Sequence, residues 1–382
     1  QLGEVFDGPH ATPRRLDQGP YFLSISSLDK GRLNLDLSDH VSPADFALWT
    51  RRIEPREGDL LFSYETRLGE AALMPARVEA CLGRRMALLR PDTSVVDPRF
   101  LLYYYLSPYF QSVIAERAVH GATVSRIPLI HMGSWPVDIP PIDKQRRIAE
   151  VLGALDDKMV ENRAVVQDID ELVLCLFLQA TEVAEKTPLS SIALVNPSTL
   201  ASAGHGTLRY VDIGALGVGS MPLPIQTAWS DAPSRARRPV NKGDVLWSTV
   251  RPNLRAHALS LYEGSDLIAS TGLAVIRPIE GDYAFVYECV RTAAFTSHLV
   301  SSAAGSAYPA VRPGDIGCGP VPCLSIADRR SFQSAAGPLR QRQWASLVEN
   351  RSLAALRDAL LPKLMSGELR VKDAEKQVEE VV

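Results

Sequence analysis

Two short stretches carry the side chains best suited to chemistry. Ser63-Tyr64-Glu65-Thr66-Arg67 follows one apolar run, and Ser248-Thr249-Val250-Arg251-Pro252-Asn253-Leu254-Arg255 follows another. An arginine fork fits the O6 and N7 edge of guanine, an asparagine amide fits adenine, and serine, threonine and lysine hold phosphate oxygens. Ordinary exposed loop residues would give the same spacing, so both readings stay open. If the second stretch remains extended, Arg251, Asn253 and Arg255 project from one side, as a base-reading group would. Thr123, Ser125 and Arg126 in the first half, and Tyr308 and Arg312 in the second, complete the candidate DNA contacts.

Catalytic patterns are missing from the sequence. There is no Gly-x-x-x-x-Gly-Lys-Ser/Thr phosphate loop, no Gly-x-Ser-x-Gly elbow and no His-Glu-x-x-His helix. Gly214-Ala-Leu-Gly217-Val-Gly219 has its glycines in the wrong order for a dinucleotide fingerprint and reads as a turn. Asn196-Pro197-Ser198 lacks the second proline and the aromatic of the DNA amino-methyltransferase signature. The seven histidines are scattered, with His120 and His131 nearest to a cluster, and no metal site is expected. These residues describe a binding protein with no cofactor of its own.

Those loops need elements to position them. The strongest element signal starts at Pro140-Pro141, a breaker that marks a helix start. Beyond it Ile148, Leu152, Leu155, Met159, Asn162, Val166, Ile169, Val173 and Leu176 recur at alternating four- and three-residue steps. Such a stripe predicts a coiled-coil seam, with Asn162 as the polar residue that fixes register. A helix of this length spans about 60 Å and serves as a strut. From Asp328 a second helical pattern repeats Val-Glu-Asn-Arg, found at 160–163 and again at 348–351. Its stripe comprises Leu347, Asn350, Leu353, Leu360 and Leu364, with Gln343 and Arg357 as less apolar members.

The rest of the chain repeats as well. Gly58-Asp59-Leu-Leu-Phe-Ser63 returns as Gly243-Asp244-Val-Leu-Trp-Ser248, Arg90-Pro91 as Arg277-Pro278, and Gly121-Ala-Thr-Val-Ser loosely as Gly305-Ser-Ala-Tyr-Pro. Between the anchors the halves diverge, which suggests a duplicated scaffold with two different surfaces. Asp97 to Arg117 reads as a helix with Tyr103 to Tyr105 on its packed face rather than free for base stacking. The expected segments are a mixed α+β domain over 1–142, a helix over 143–185, a second domain over 186–327, a helix over 328–368 and a frayed tail over 369–382.

Composition sets bounds on partners. The 382 residues suit two or three domains, and 46% hydrophobic with 22% charged residues is globular usage. A net charge of −3 and a pI near 6.2 argue against a bulk polyanion binder. Arg14-Arg15, Arg51-Arg52, Arg84-Arg85 and Arg235, Arg237, Arg238 could still form local basic faces or merely solvated surface. The five cysteines are odd in number and fit no zinc spacing, so reduced thiols and a cytoplasmic location are expected. No signal peptide is recognised at the start, where the first residue is Gln. The most apolar run, Leu172 to Leu178, is too short to cross a bilayer, so no membrane partner is expected.

Three segments resemble a known family. Ile139-Pro-Pro-Ile-Asp-Lys-Gln-Arg-Arg-Ile-Ala-Glu-Val-Leu-Gly-Ala-Leu-Asp-Asp-Lys resembles the central conserved region of specificity subunits of type I restriction–modification enzymes. Leu361-Pro-Lys-Leu-Met-Ser-Gly-Glu-Leu-Arg-Val resembles their C-terminal conserved region, and Gly243-Asp-Val-Leu-Trp-Ser-Thr-Val-Arg-Pro-Asn-Leu-Arg a segment of their target-recognition domains. The resemblance implies an α+β protein with two target-recognition domains separated by two long antiparallel coiled-coil helices, a pseudo-two-fold internal repeat. It implies an asymmetric bipartite target in double-stranded DNA, two methyltransferase subunits docked on the helices, and restriction (translocase) subunits added to them. S-adenosylmethionine, ATP and Mg would act in those partners. One departure stands out: Leu324-Ser-Ile-Ala-Asp-Arg-Arg replaces the Pro-Pro-x-x-x-Gln form before the second helix. A DNA-reading component of another phage-defence system, a helical-strut scaffold that never reads DNA, and an enzyme with an unrecognised site are the rival readings.

Overall fold

In the computed structural model the described residues are 2–9, 11–121, 124–201, 204–305 and 308–382. They divide into two compact units, one of residues 1–161 with 350–382 and one of residues 162–349. These units cut through both long helices, Ile142–Thr181 and Ile326–Ser366, rather than following the linear segments. Within each helix the cut falls inside the repeated Val-Glu-Asn-Arg.

Both units share one plan. The first has an antiparallel sheet in the order Gly3–Asp7, Met86–Pro91, Leu60–Ser63, Ala71–Leu73. The second has the order Ala193–Val195, Leu273–Pro278, Val245–Ser248, His257–Leu259. A further sheet in each contains one parallel pair, Leu16–Leu23 with Ala80–Leu82 and Thr207–Val211 with Leu267–Ser270. The Leu60–Ser63 and Val245–Ser248 strands are buried on both faces, which explains their unbroken apolar runs. Leu60 and Phe62 face the helices, while Leu61 faces the core of the other sheet.

The repeated Gly-Asp and Arg-Pro anchors are one buried contact made twice. Gly58 and Gly243 take φ of 83° and 89°, a left-handed conformation that suits glycine, and deliver the aspartate inward. Asp59 accepts Arg90 Nε and Nη2 at 2.9 and 2.7 Å and the Arg56 amide at 2.8 Å. Asp244 accepts Arg277 at 2.8 and 2.6 Å and the Asn241 amide at 2.7 Å. A carboxylate taken out of water needs such a full set of donors.

The stretch 97–117 is two helices, not one. Pro108 pushes Ser107 to φ −63°, ψ 148°, and the chain breaks between Pro98–Leu106 and Pro108–Arg117. Ser107 then caps the second helix through the Phe110 amide. Tyr103, Tyr104 and Tyr105 are buried, as the packed-face reading expects.

The long helices run antiparallel within each unit. Ile148, Leu152, Leu155 and Met159 meet Leu353, Leu360 and Leu364 in the first core, and Ile169 and Val173 enter the second. Asn162 is buried and donates to Glu349 at 3.0 Å, and Asn350 donates to the Met159 carbonyl at 3.3 Å. Beyond Val173 the buried residue is Phe177 rather than Leu176, because the stripe moves to a four-residue step. Ion pairs flank the middle: Arg357 with Asp156 at 2.8 Å and Arg340 with Asp170 at 2.7 Å.

The second helix starts at Ile326 without the proline pair. Ser325 accepts the Asp328 amide and donates to its carboxylate, a capping arrangement that replaces the breaker. At the position of Gln145, which accepts the Asp97 amide, stands Arg329, which pairs with Asp282. Each secures the residue that precedes the neighbouring helix. The tail is not frayed: Val371–Glu379 is a helix whose Val371, Ala374 and Val378 are buried in the first core. Its Lys- and Glu-rich composition hides an apolar stripe at three- and four-residue steps.

Leu155 is fully buried whereas Leu172 on the same helix is 49% exposed. Leu155→Asp is expected to cost on the order of 3–5 kcal/mol in urea unfolding, and Leu172→Asp close to nothing. Equal midpoints for the two variants would refute the packing described.

His257 offers a second check. Burial pushes its pKa from 6.5 to about 4, partly offset by the Arg255 carbonyl at Nδ1, while its ring stacks on Trp247. The folded-state pKa lies below the unfolded one, so the unfolded chain takes up the proton first. Stability is whole above pH 6.5 and falls by about 3 kcal/mol as pH drops to about 4. His257→Phe should flatten that part of the pH–stability profile.

Candidate nucleic-acid interface

The two loop stretches are built on the same main-chain frame. Ser63 and Ser248 are buried at their strand ends, and each hydroxyl donates to the carbonyl two residues on, Glu65 at 2.7 Å and Val250 at 2.9 Å. Each loop then pairs with a return segment. The Ile127 amide donates to Tyr64 O and the Thr66 amide to Ser125 O. In the second unit the Val311 amide donates to Thr249 O and the Arg251 amide to Pro309 O. Ser125 and Pro309 lie four residues after Gly121 and Gly305, so the loose correspondence of those segments is a true register.

At matched positions both chains turn left-handed, Thr66 at φ 71° and Arg251 at φ 50°. Such a conformation costs a non-glycine residue about 1–2 kcal/mol. It also overturns the extended reading of the second loop. Arg251 and Arg255 both have positive φ and flank a 3₁₀ turn at Pro252–Leu254, so alternation no longer puts Arg251, Asn253 and Arg255 on one side.

The candidate side chains separate into engaged and available groups. Ser63 and Ser248 serve the frame, and Tyr64 is buried with its hydroxyl unpartnered, so none of the three is a loop hand. Arg67 is spent on Glu70 and on the Ile25 and Leu28 carbonyls. The Arg255 guanidinium donates to the Arg291 carbonyl at 2.7 Å. The Ser125 hydroxyl meets His120 Nδ1 at 2.9 Å, and Thr123 lies outside the described residues. Arg126, Asn253 and Arg312 are exposed, and the Arg312 amide binds Asp315. Arg251 and Tyr308, distant in sequence, come together: the guanidinium lies 4.8 Å over a ring that is 69% exposed. That stack holds the arginine still while leaving its donors outward.

Neighbouring cations add to these loops. In the first unit Arg15, Arg84 and Arg85 with Thr12, Ser24 and Ser26 line a cleft of about 380 Å³. The Tyr64 amide donates to Arg85 O, which ties this cleft to the loop. Arg15 pairs with Asp39 at 2.8 Å and Arg85 with Glu65 at 3.1 Å, so Arg84 and the hydroxyls are what this cleft offers to phosphate oxygens. In the second unit the exposed Arg235 carbonyl accepts the Thr271 amide, and Thr249 donates to Gly272 O, so Arg235 and Thr271 border the Arg251 loop. Arg237 and Arg238 are turned into the unit, onto the Ser234 and Leu273 carbonyls. Thr271 carries no sequence signal; its main-chain partners place it there.

No group of acidic, histidine or cysteine side chains among the described residues is arranged to hold a metal ion. None of the described helices is long and apolar enough to cross a membrane.

No protein-family model matches the chain. A protein of Methanocaldococcus jannaschii described as the MjaX specificity subunit of a type I restriction enzyme is 31% identical over 107 residues, 26% of this chain and 24% of that protein. The type I restriction enzyme HindI specificity subunit of Haemophilus influenzae is 24% identical over 129 residues, 32% of this chain and 27% of that one. The matches thus span about a quarter of the length of these curated relatives. In fold, the chain is similar to the S subunit of the type I restriction–modification system from M. genitalium, with a TM-score of 0.55 over 95% of this chain and 94% of that one. At 15% identity that likeness shows the fold alone. The relatives carry the family name that the sequence motifs imply.

The left-handed Thr66 gives a direct test of the frame. Thr66→Gly should raise stability by about 1 kcal/mol, since strain is relieved and the 3.4 Å contact with Arg85 is weak. A lower thermal midpoint would mean that the conformation carries no such strain.

Proposed function

We propose that this chain is the specificity subunit of a type I restriction–modification complex, reading an asymmetric bipartite DNA target with one half-site per unit. The duplicated loop frame carries the reading: the same main-chain bonds hold different side chains, Thr66 in one unit and the Arg251–Tyr308 stack in the other. Identical loops would suit a palindrome, whereas unlike loops suit unlike half-sites. Each unit would meet its own stretch of duplex. Linking two weak half-site contacts raises the affinity of the whole without new contacts.

Methylation and cleavage would belong to partners that bring S-adenosylmethionine, ATP and Mg. Two methyltransferase subunits would dock on the long helices. In support, Val160, Leu172, Leu174 and Leu178 of the first long helix are exposed, away from the buried seam. Those partners would also supply much of the phosphate neutralisation that a chain of net charge −3 does not.

The test is methylome sequencing of cells that express this chain with its neighbouring genes. Arg251→Ala should relax or abolish one half-site at a cost of about 1–3 kcal/mol and leave the other unchanged. A palindromic target, or equal change at both halves, would sink the proposal.

A further inference from the structure

Where the first loop ends, the first unit holds a cleft of about 420 Å³, with Lys30, Arg32, Gly69, Leu102, Leu106 and Arg357 in its wall. The hairpin that pairs Leu28–Asp29 with Arg32–Leu33 and the helix Pro98–Leu106 border it.

The duplicated unit shows the same place filled. The Gly31 amide donates to Ala71 O and the Gly219 amide to His257 O, which sets the register between the two. Ala71 therefore corresponds to His257. Gly69 at φ 86° corresponds to Arg255 at φ 54°, and Leu106 to Arg291, each at the end of its helix. In the second unit His257 stacks on Trp247, Arg255 holds the Arg291 carbonyl, and Arg291 and Arg340 both reach Asp170 and Glu288. Both interior guanidinium groups there have carboxylate partners.

The first unit has small or apolar residues at those positions, and its charges do not close. Asp156 gives one oxygen to Arg357 at 2.8 Å and the other to the Tyr103 hydroxyl at 2.6 Å, and Arg357 also pairs with Asp358. The Arg32 side chain hydrogen-bonds to no described residue, and its Nη2 is buried. Burial pushes its pKa below the ordinary value; Asp156 and, across the hairpin, Asp29 oppose that shift, and Arg357 adds to it. A half-buried guanidinium with one buried, unpartnered nitrogen, beside a second guanidinium on the wall of a cleft, can take an anion. Glu70, Asp156 and Asp358 also line the cleft, so a dianion would be repelled. Leu68, Leu102 and Leu106 offer an apolar seat.

We propose that this cleft binds a small monocarboxylate with an apolar body, its carboxylate on Arg32 and its body against Leu68, Leu102 and Leu106. The proposal is independent of the DNA-reading role. A ligand there would join the hairpin to the long helices and stabilise the folded chain.

The full chain is titrated with benzoate as the probe, by calorimetry and thermal unfolding at constant ionic strength, with inorganic phosphate as the second arm. Saturable benzoate binding with a Kd of about 1 mM and a raised midpoint are expected, with no saturable response to phosphate. Arg32→Leu should weaken benzoate at least about tenfold. Leu106→Trp, which fills the cleft from the other side, should abolish the response even if Arg32→Leu fails to fold. No saturable response in the wild type, equal binding in Arg32→Leu or Leu106→Trp, or phosphate binding as tight as benzoate, each overturns the proposal.

Discussion

A carboxylate buried inside a sheet has to be met by donors from every side, and this requirement organises both units. Asp59 and Asp244 sit where their strands begin, and each takes both ends of an arginine fork from the neighbouring strand. The pair locks the start of one strand to the end of another, so the register of the sheet is fixed by charge as well as by apolar faces. The opposite end of the same strand leads directly into the loop that carries Thr66 or Arg251. A one-residue slip would exchange the side chains between the two cores and leave the carboxylate without its partner. Replacing one partner alone is the costly change, which accounts for the survival of Gly-Asp and Arg-Pro in both copies while most intervening residues differ.

The helix seam shows how duplicated elements take on unlike chemistry. The first long helix supplies the acids, Asp156 and Asp170, and the second supplies the bases, Arg357 and Arg340. Each acid therefore meets a base. Two copies of the first helix paired with each other would meet without complementary charge. Asn162 and Asn350 add polar contacts in the middle of the seam, at the repeated Val-Glu-Asn-Arg. Apolar residues supply adhesion along the stripe, and these polar positions discriminate among ways of pairing.

Much of this frame was legible in the sequence because it depends on period and on local breakers. The seam from Ile148 to Met159, the Gly-Asp and Arg-Pro anchors, and the match of Gly121 with Gly305 all rest on such local signals. What was not legible depends on contacts between distant residues. Nothing local marks Arg251 and Arg255 as left-handed, since glycine or asparagine is the usual occupant of that region. Nothing local brings Tyr308 under Arg251, or commits Arg67 to Glu70 and two carbonyls. The tail helix leaves a faint signal because its apolar stripe has three buried members, Val371, Ala374 and Val378, among charged neighbours. The break at Ser107-Pro108 was local and readable, but the apolar pattern on either side concealed it.

The candidate site follows from this division between frame and surface. Main-chain hydrogen bonds to Ser125 and Pro309 hold the two loops without calling on any particular side chain at Thr66 or Arg251. Serine hydroxyls at Ser63 and Ser248 cap the strand ends from within, so they too leave the outer positions free. A loop held by its backbone can exchange its outward residues at little cost to stability, while an arginine stacked on an aromatic ring keeps a defined direction. Arg251 is thus rigid in placement and free in its donors, the combination that a reader of one base edge needs. Thr66, at the matched position, is uncharged and meets the Arg85 guanidinium at 3.4 Å rather than a ring, so the frame that makes the two loops alike is also what allows them to differ.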